Sequence, residues 1–288
     1  MEQITVVNEI TTNHAETKIS DLPRKDTNIG AEKKIIFKEI YDDDELIEMF
    51  SLRCLVYQYV KYFFSSNGDQ LTENQLDIDC FDLYSTFLGA FEITKNSKRL
   101  IGTVRIISGN EQSVSAPFIK SLYKTLPGHE SDGKLERTTP FPHMETFNVP
   151  HRHYTAFFED KNALSGNNSS IDDKPYEISR LAVLPEYWKT KDRVEMGLHD
   201  MIILSSWKAK PRRNIYMIAT HPRTKRRYER IGFKIIPGTG EHLYKGINQP
   251  AILMIMNLEE YLNKPNPYSK RCKSAFPSFI ENGYHSMG

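Results

Sequence analysis

Cysteine is scarce: Cys54, Cys80 and Cys272 are the three in 288 residues. They are too few and too scattered for a disulfide framework or a zinc site, so reduced thiols and no metal are expected. Long apolar runs are missing as well. None approaches the ~18–20 residues that span a bilayer, so no membrane span is expected. An excess of one charge is also absent. Lys plus Arg number 38 against 37 Asp plus Glu, a net charge of +1, which argues against a dedicated nucleic-acid binder. The first residues lack the basic–apolar–small order of a secretory signal, so a cytoplasmic location is expected. There is no Gly-x-Ser-x-Gly, no P-loop and no Gly-x-Gly-x-x-Gly, so nothing marks a serine nucleophile or a nucleotide site.

What is present is core-forming material. Apolar residues make up 39% and aromatics 11%, with 15 Tyr and 15 Phe, enough to exclude disorder of the whole chain. Residues 1–33 are polar and aperiodic and read as a flexible N-terminal arm. A single domain is expected over 34–263. It opens with a strand at Ile35–Ile40 and a helix capped by the acidic run Asp42–Asp44 and reaching Tyr57–Lys61. Strands follow at Ser85–Ile93 and Leu100–Ile107, with a turn at Asn96-Ser97. Residues 108–174 read as a long insertion with one helix, Ala116–Thr125. Then come a strand at Tyr176–Leu184, a helix at Val194–Trp207, a short strand at Ile215–Ala219 and a basic helix at Arg223–Ile231 closed by Gly232. Phe233–Ile236 and Ala251–Met256 read as strands, Glu259–Leu262 as a helix start, and 264–288 as a proline-marked tail. The order predicts an α/β or α+β fold, a mixed central sheet with helices on its faces.

Charged residues stand inside several apolar elements. Arg53 and Tyr57 share one side of the first helix. Asp79 and Asp82 lie three apart in an acidic stretch. Arg105 sits in the third strand, and Glu177 and Arg180 in the Tyr176–Leu184 strand. Charges among Ile, Leu and Val are rarely buried unpaired. Either a structural salt-bridge network or a catalytic site accounts for them. By alternation Glu177 and Arg180 face opposite ways, and a bulge alone would bring them together. His129, His143, His151 and His153 fall in the insertion and read as solvated loop histidines. Arg223, Lys225, Arg226, Arg227 and Arg230 form either a solvated basic face or a dock for an acidic partner.

Four motifs in order, Arg53-x-x-x-Tyr57, Asp79-x-x-Asp82, Gly102-Thr-Val-Arg105 and Glu177-Ile-Ser-Arg180-Leu-Ala-Val183, resemble the autoinducer-synthase branch of the GNAT acyltransferases. Within it the sequence is similar to N-acyl amino acid synthases of the FeeM type and exosortase-associated acyltransferases. Arg230-Ile-Gly-Phe233 and Gly246-Ile-Asn-Gln-Pro250 match a Gly-Phe strand and a late Gly-x-x-x-Pro segment of that group. The likeness covers roughly 35–262.

The resemblance implies a GNAT-like fold with two strands splayed past a bulge. It implies no tightly bound cofactor, and an acyl-phosphopantetheine thioester as cosubstrate, held along Leu181 and Val183. The expected reaction is long-chain N-acylation of an amino acid or similar amine. Pro185–Val194 contains no glycine before Gly197, where acetyl-CoA-using relatives carry a Gly-rich pyrophosphate turn. That fits a donor on acyl carrier protein. Lys189, Lys191 and Arg193 would meet its phosphate, or are surface charges. Glu177, Arg53 and Arg180 are the expected catalytic residues, with Glu177 the general base. Arg53, Arg180, Tyr57, Asp79, Asp82 and Arg105 would hold the acceptor region. Phe63, Phe64, Phe87 and Phe91 either line an acyl tunnel or pack the core. An acyl-homoserine-lactone synthase using S-adenosylmethionine is the alternative, with the insertion and Gly246–Pro250 against it. A catalytically idle module that binds acyl carrier protein is a third reading.

Overall fold

The computed structural model describes residues 33–60, 76–126, 135–147, 171–244, 249–264 and 266–287. Residues 1–32 of the expected N-terminal arm, Phe63, Phe64, His129, His151, His153 and Gly246 lie outside them.

The alternating stretch Lys34–Ile40 forms β1, with Phe37 and Ile40 buried. The Asp42 carboxylate accepts the N–H groups of Asp44 and Glu45 and starts α1, Asp43–Tyr59. A 3-10 turn over Cys80–Tyr84 leads into β2, Ser85–Ile93, and β3, Lys98–Ile107. Within the expected insertion lie α2, Ala116–Thr125, and α3, Met144–Phe147. β4 runs Ile171–Val183, so the insertion ends earlier than the sequence suggests. α4 covers Val194–Lys208, β5 Arg212–Thr220 and α5 Lys225–Arg230. The expected nine-residue basic helix is thus shorter, because Pro222–Thr224 forms a separate 3-10 turn. Gly232 ends it at φ +100°, as its place in the sequence predicts. β6 (Lys234–Ile235), β7 (Glu241–Tyr244) and β8 (Gln249–Asn257) follow. The chain closes with α6 (Leu258–Asn263), α7 (Pro267–Asn282) and β9 (Tyr284–Ser286).

The expected C-terminal tail is therefore corrected. Asn266 caps α7 by accepting the Ser269 N–H at 2.8 Å, and Pro267 sits at its first turn, where its missing N–H costs nothing. β9 then pairs antiparallel with β1, Phe37 opposite His285.

The described strands form one mixed sheet in the order β6-β8-β5-β4-β3-β2-β1-β9, with β7 also on β8. β4 and β5 are its parallel pair. α1 packs on one face, where Phe50 meets Phe87 edge-on. α4 packs on the other. A Cβ on Gly197 would fall 2.0 Å from the Phe37 ring, so glycine lets α4 approach β1. The fold class read from the sequence, a mixed sheet between helices, is the one observed.

Candidate active site

Two irregularities in β4 shape the site. Against β3, Thr103 pairs with Ala182 and Arg105 with Ser179, so two steps on β3 span three on β4. The extra residue is a bulge, and Arg180 takes a left-handed φ of 55° to make it. The bulge brings Arg180 round to the side of Ser179 and Glu177, as the sequence required for these charges to share a face. Against β5, pairing stops at Glu177–Met217, although β4 continues to Val183 and β5 to Thr220. Past that point the two strands are no longer paired with each other. Just beyond β4 the Trp188 indole donates to the Val183 carbonyl at 2.7 Å.

On the α1 face, three arginines and three aspartates interlock. Arg53 donates from Nε to Asp77 at 2.8 Å and from Nη1 to Asp82 at 2.8 Å. Arg105 donates to Ser179 Oγ at 2.7 Å, to Asp79 at 2.6 and 2.9 Å and to Asp82 at 2.7 Å. Arg180 lies 3.2 Å from both Asp77 and Asp79, and its guanidinium stands over the Tyr57 ring. Asp79 and Asp82 also cap the 3-10 turn reciprocally. Burial works against the Asp79 charge, but Arg105 and then Arg180 hold its pKa well below the carboxylate range. Burial, with a smaller opposing pull from Arg180, pushes Tyr57 up to about 12. The sequence foresaw five members of this cluster and missed Asp77, whose partner lies 24 residues away. Arg53 and Arg105 are fully buried and saturated. Arg180 and Asp79 form the accessible edge, at 21% and 25% side-chain exposure.

Glu177 is not a member of that cluster. It lies two residues along β4 from Ser179, 0% exposed, between Ile107 of β3 and Met217 of β5. Its Oε2 is 2.7 Å from His143 Nδ1 and accepts the His143 backbone N–H at 3.3 Å. Its Oε1 is buried with no hydrogen-bond partner among the described residues. The reading of His143 as a solvated loop histidine is corrected. It is 0% exposed and stacked on Phe141, and the turn at Pro142 brings it onto Glu177. An aromatic-Pro-His sequence before a short helix was the signal available, and it is weak. Tyr244 also stands near: burial first, then Glu177, raises its pKa well above the phenol value.

On the opposite face, Ile178 floors a cavity of about 370 Å³ between α4, α5, α6 and α7. Ile202, Ile203, Phe233 and Met256 give it an apolar wall. Arg227 and Arg230 stand at its α5 side. Phe87 and Phe91 belong to the core and do not line it.

The expected donor-binding residues lie at the end of β4 and in the loop that follows it. Val183 is buried and Leu181 half-buried. Lys189, Lys191 and Arg193 are exposed in the loop before α4, and Lys189 and Arg193 have φ of 58° and 47°. The three left-handed non-glycine residues among the described residues thus fall among the candidates, and strained backbone tends to gather at functional sites. Of the basic helix, Arg227 pairs with Glu195 and Lys225 with Glu229, while Arg223, Arg226 and Arg230 are exposed.

No protein-family model and no curated protein matches the chain. Solved structures do. FeeM, described as an N-acyl amino acid synthase from uncultured soil microbes, is 13% identical, with a TM-score of 0.48, covering 81% of this chain and 94% of its own. The AHL synthase LasI is 14% identical, with a TM-score of 0.43, covering 80% of this chain and 91% of its own. MesI, described as a CoA-dependent acyl-homoserine lactone synthase, is 10% identical at a TM-score of 0.38, covering 78% of this chain and 89% of its own.

Proposed function

We propose that the protein is an N-acyltransferase that moves a long acyl chain from a phosphopantetheine thioester to the amino group of an amino acid. The observation that carries this reading is a buried carboxyl, Glu177, with one oxygen unpaired, at the point where β4 and β5 part. Past Glu177 the β5-facing edge of β4 is no longer paired with β5, and it would take an amide-bearing arm. The thioester would lie beside the bulge and the acyl chain in the cavity behind Ile178.

In the reaction the amine nitrogen attacks the thioester carbon. The C–N bond forms, the C–S bond breaks and the thiolate leaves. The amine must lose its proton, and Glu177 takes it, directly or through water, with His143 fixing the carboxyl. Because the Glu177 partner is an imidazole and not a guanidinium, the arginine cluster does not tie up this carboxyl. The proton finally passes to the thiolate. Backbone N–H groups at the bulge are the donors available to the oxyanion. Arg180, the exposed arginine of the cluster, is the one able to fork onto an acceptor carboxylate. Arg53 and Arg105 act as positioning residues, with Tyr57, Asp79 and Asp82. Lys189, Lys191 and Arg193 would meet the pantetheine phosphate. Arg223, Arg226 and Arg230, with Lys225 and Arg227, would face an acidic acyl carrier protein.

The test is reconstitution with acyl carrier protein or CoA thioesters and a panel of amino acids, read by mass spectrometry. Wild type should form N-acyl amino acids, with the carrier-borne donor preferred. Glu177→Gln should lose at least about a hundredfold in turnover, the usual scale of general-base catalysis, with unchanged circular dichroism. Near-native turnover by that variant would remove Glu177 from the reaction. A lactone product would replace this reading with the autoinducer one.

A further inference from the structure

The cavity between α4, α5, α6 and α7 is graded from floor to rim. At about 370 Å³ it falls within the ~300–1,000 Å³ of small-molecule sites. Ile178, Ile202, Ile203, Phe233 and Met256 form its floor, all of them buried. Three guanidinium groups line it too, and each keeps accessible surface. The Arg227 side chain is 48% exposed and that of Arg271 30%, and Arg230 is exposed as well. They therefore stand at its solvent end. Two of the three are matched by carboxylates. Arg227 pairs with Glu195, and Arg271 forks onto both oxygens of buried Asp200 at 2.6 Å. Arg230 has no carboxylate partner among the described residues, so it is the charge in surplus. The remaining Arg271 nitrogen, Nη1, rests on the Met196 thioether at 3.2 Å, a weak acceptor.

An apolar floor under a cationic rim suits an amphiphile, and the rim selects its head. An ammonium head would be repelled there. An alcohol head would leave the surplus charge unused. A carboxylate carries the single negative charge that matches one unpaired guanidinium, and its two oxygens fit the guanidinium fork. We infer that the cavity binds a single-chain carboxylate, a free fatty acid, which enters tail first from the solvent end and sets its head on Arg230. A thioester-borne chain would arrive from the opposite side, along β4, so the two cannot share the cavity. Free acid should then hold back the reaction proposed above. That consequence rests on the acyl-transfer reading, whereas the binding does not.

The experiment is calorimetric binding to the full-length protein of laurate, lauryl alcohol and laurylammonium, three chains of equal length, with acetate as competitor. Laurate should bind about tenfold tighter than the alcohol, the factor one charge-assisted hydrogen bond supplies. Laurylammonium should bind more weakly than either. Arg230→Gln should erase the preference for laurate and leave alcohol binding unchanged. Acetate, which has the head and no chain, should not displace laurate. Equal binding of laurate and the alcohol by wild type overturns the inference, as does binding of neither. So does a preference that survives in Arg230→Gln. Displacement by acetate also overturns it, by marking a surface anion patch in place of a chain site. Because binding needs no turnover, the two claims separate. Laurate binding without transfer to any amine upholds the cavity site and sinks the catalytic reading. Transfer by a protein that binds no free laurate does the reverse.

Discussion

Asp82 accepts hydrogen bonds from Arg53, from Arg105 and from the Asp79 backbone, and none of its surface reaches solvent. Three guanidinium groups and three carboxylates balance within the cluster, and the balance is what makes burial tolerable. Taking one charge away leaves a buried positive charge uncompensated. Asp82→Asn keeps the shape and removes the charge, and it should destabilise the protein by about 3–5 kcal/mol in denaturant unfolding. Asp79→Asn, at the accessible edge, should cost clearly less. Equal losses would mean the cluster is held by shape rather than charge. At this scale the sequence was legible where the chemistry is improbable. Arg53, Arg105, Arg180 and Glu177 stood out because ions among Ile and Val demand partners. His143 and Asp77 did not, since neither interrupts an apolar pattern and their partners lie 34 and 24 residues away.

Elements were legible from periodicity and caps, and misread where proline was taken as a breaker. Pro267 begins α7, and Pro277 lies inside it. Helix α7 and β9 cover the α4 side of the sheet: Cys272 and Phe279 are buried, Trp207 stacks on Phe276 at 4.0 Å, and Phe37 lies against His285 at 5.8 Å. Arg271 supplies the ion pair that satisfies buried Asp200. A chain ending at Lys264 would uncover Phe37, strand β1 would become an exposed edge, and Asp200 would be left unpaired. It should aggregate or lose a cooperative melting transition in differential scanning calorimetry. A truncated chain with the full melting temperature would show that the C-terminal elements add nothing to the core. The bulge at Arg180 was foreseen for a different reason. Alternation put Glu177 and Arg180 on opposite faces, and a strand that must present both has to be interrupted.

For the molecule as a whole, net charge is near zero, so pH acts through particular groups and not through general repulsion. His199 titrates near 4 folded against an ordinary 6.5. Between those values the unfolded chain binds the extra proton, so stability falls as pH drops through that interval. Asp79 and Asp200 have lowered values, and Glu260 is pulled to about 2 by Lys234 and Lys264 against its own burial. Their contribution is held above the ordinary carboxylate range and lost below it, as the unfolded chain takes up protons first. Half-buried Glu39, whose value is raised by desolvation, offsets part of this loss. At the alkaline end, burial lifts Cys80 to about 11 and Tyr57 and Tyr228 to about 12. The unfolded chain then releases protons first, and stability falls as pH rises past the ordinary 9.0 of cysteine and 10.0 of tyrosine. The melting temperature should therefore hold a plateau between about pH 7 and 9. It should decline on the acid side in two stages, one owed to a single imidazole and one to carboxylates. His199→Leu should flatten the first stage and leave the second. Thermal melts of wild type and variant from about pH 2 to 8 decide it, since an unchanged first stage in His199→Leu would place the proton uptake on another group.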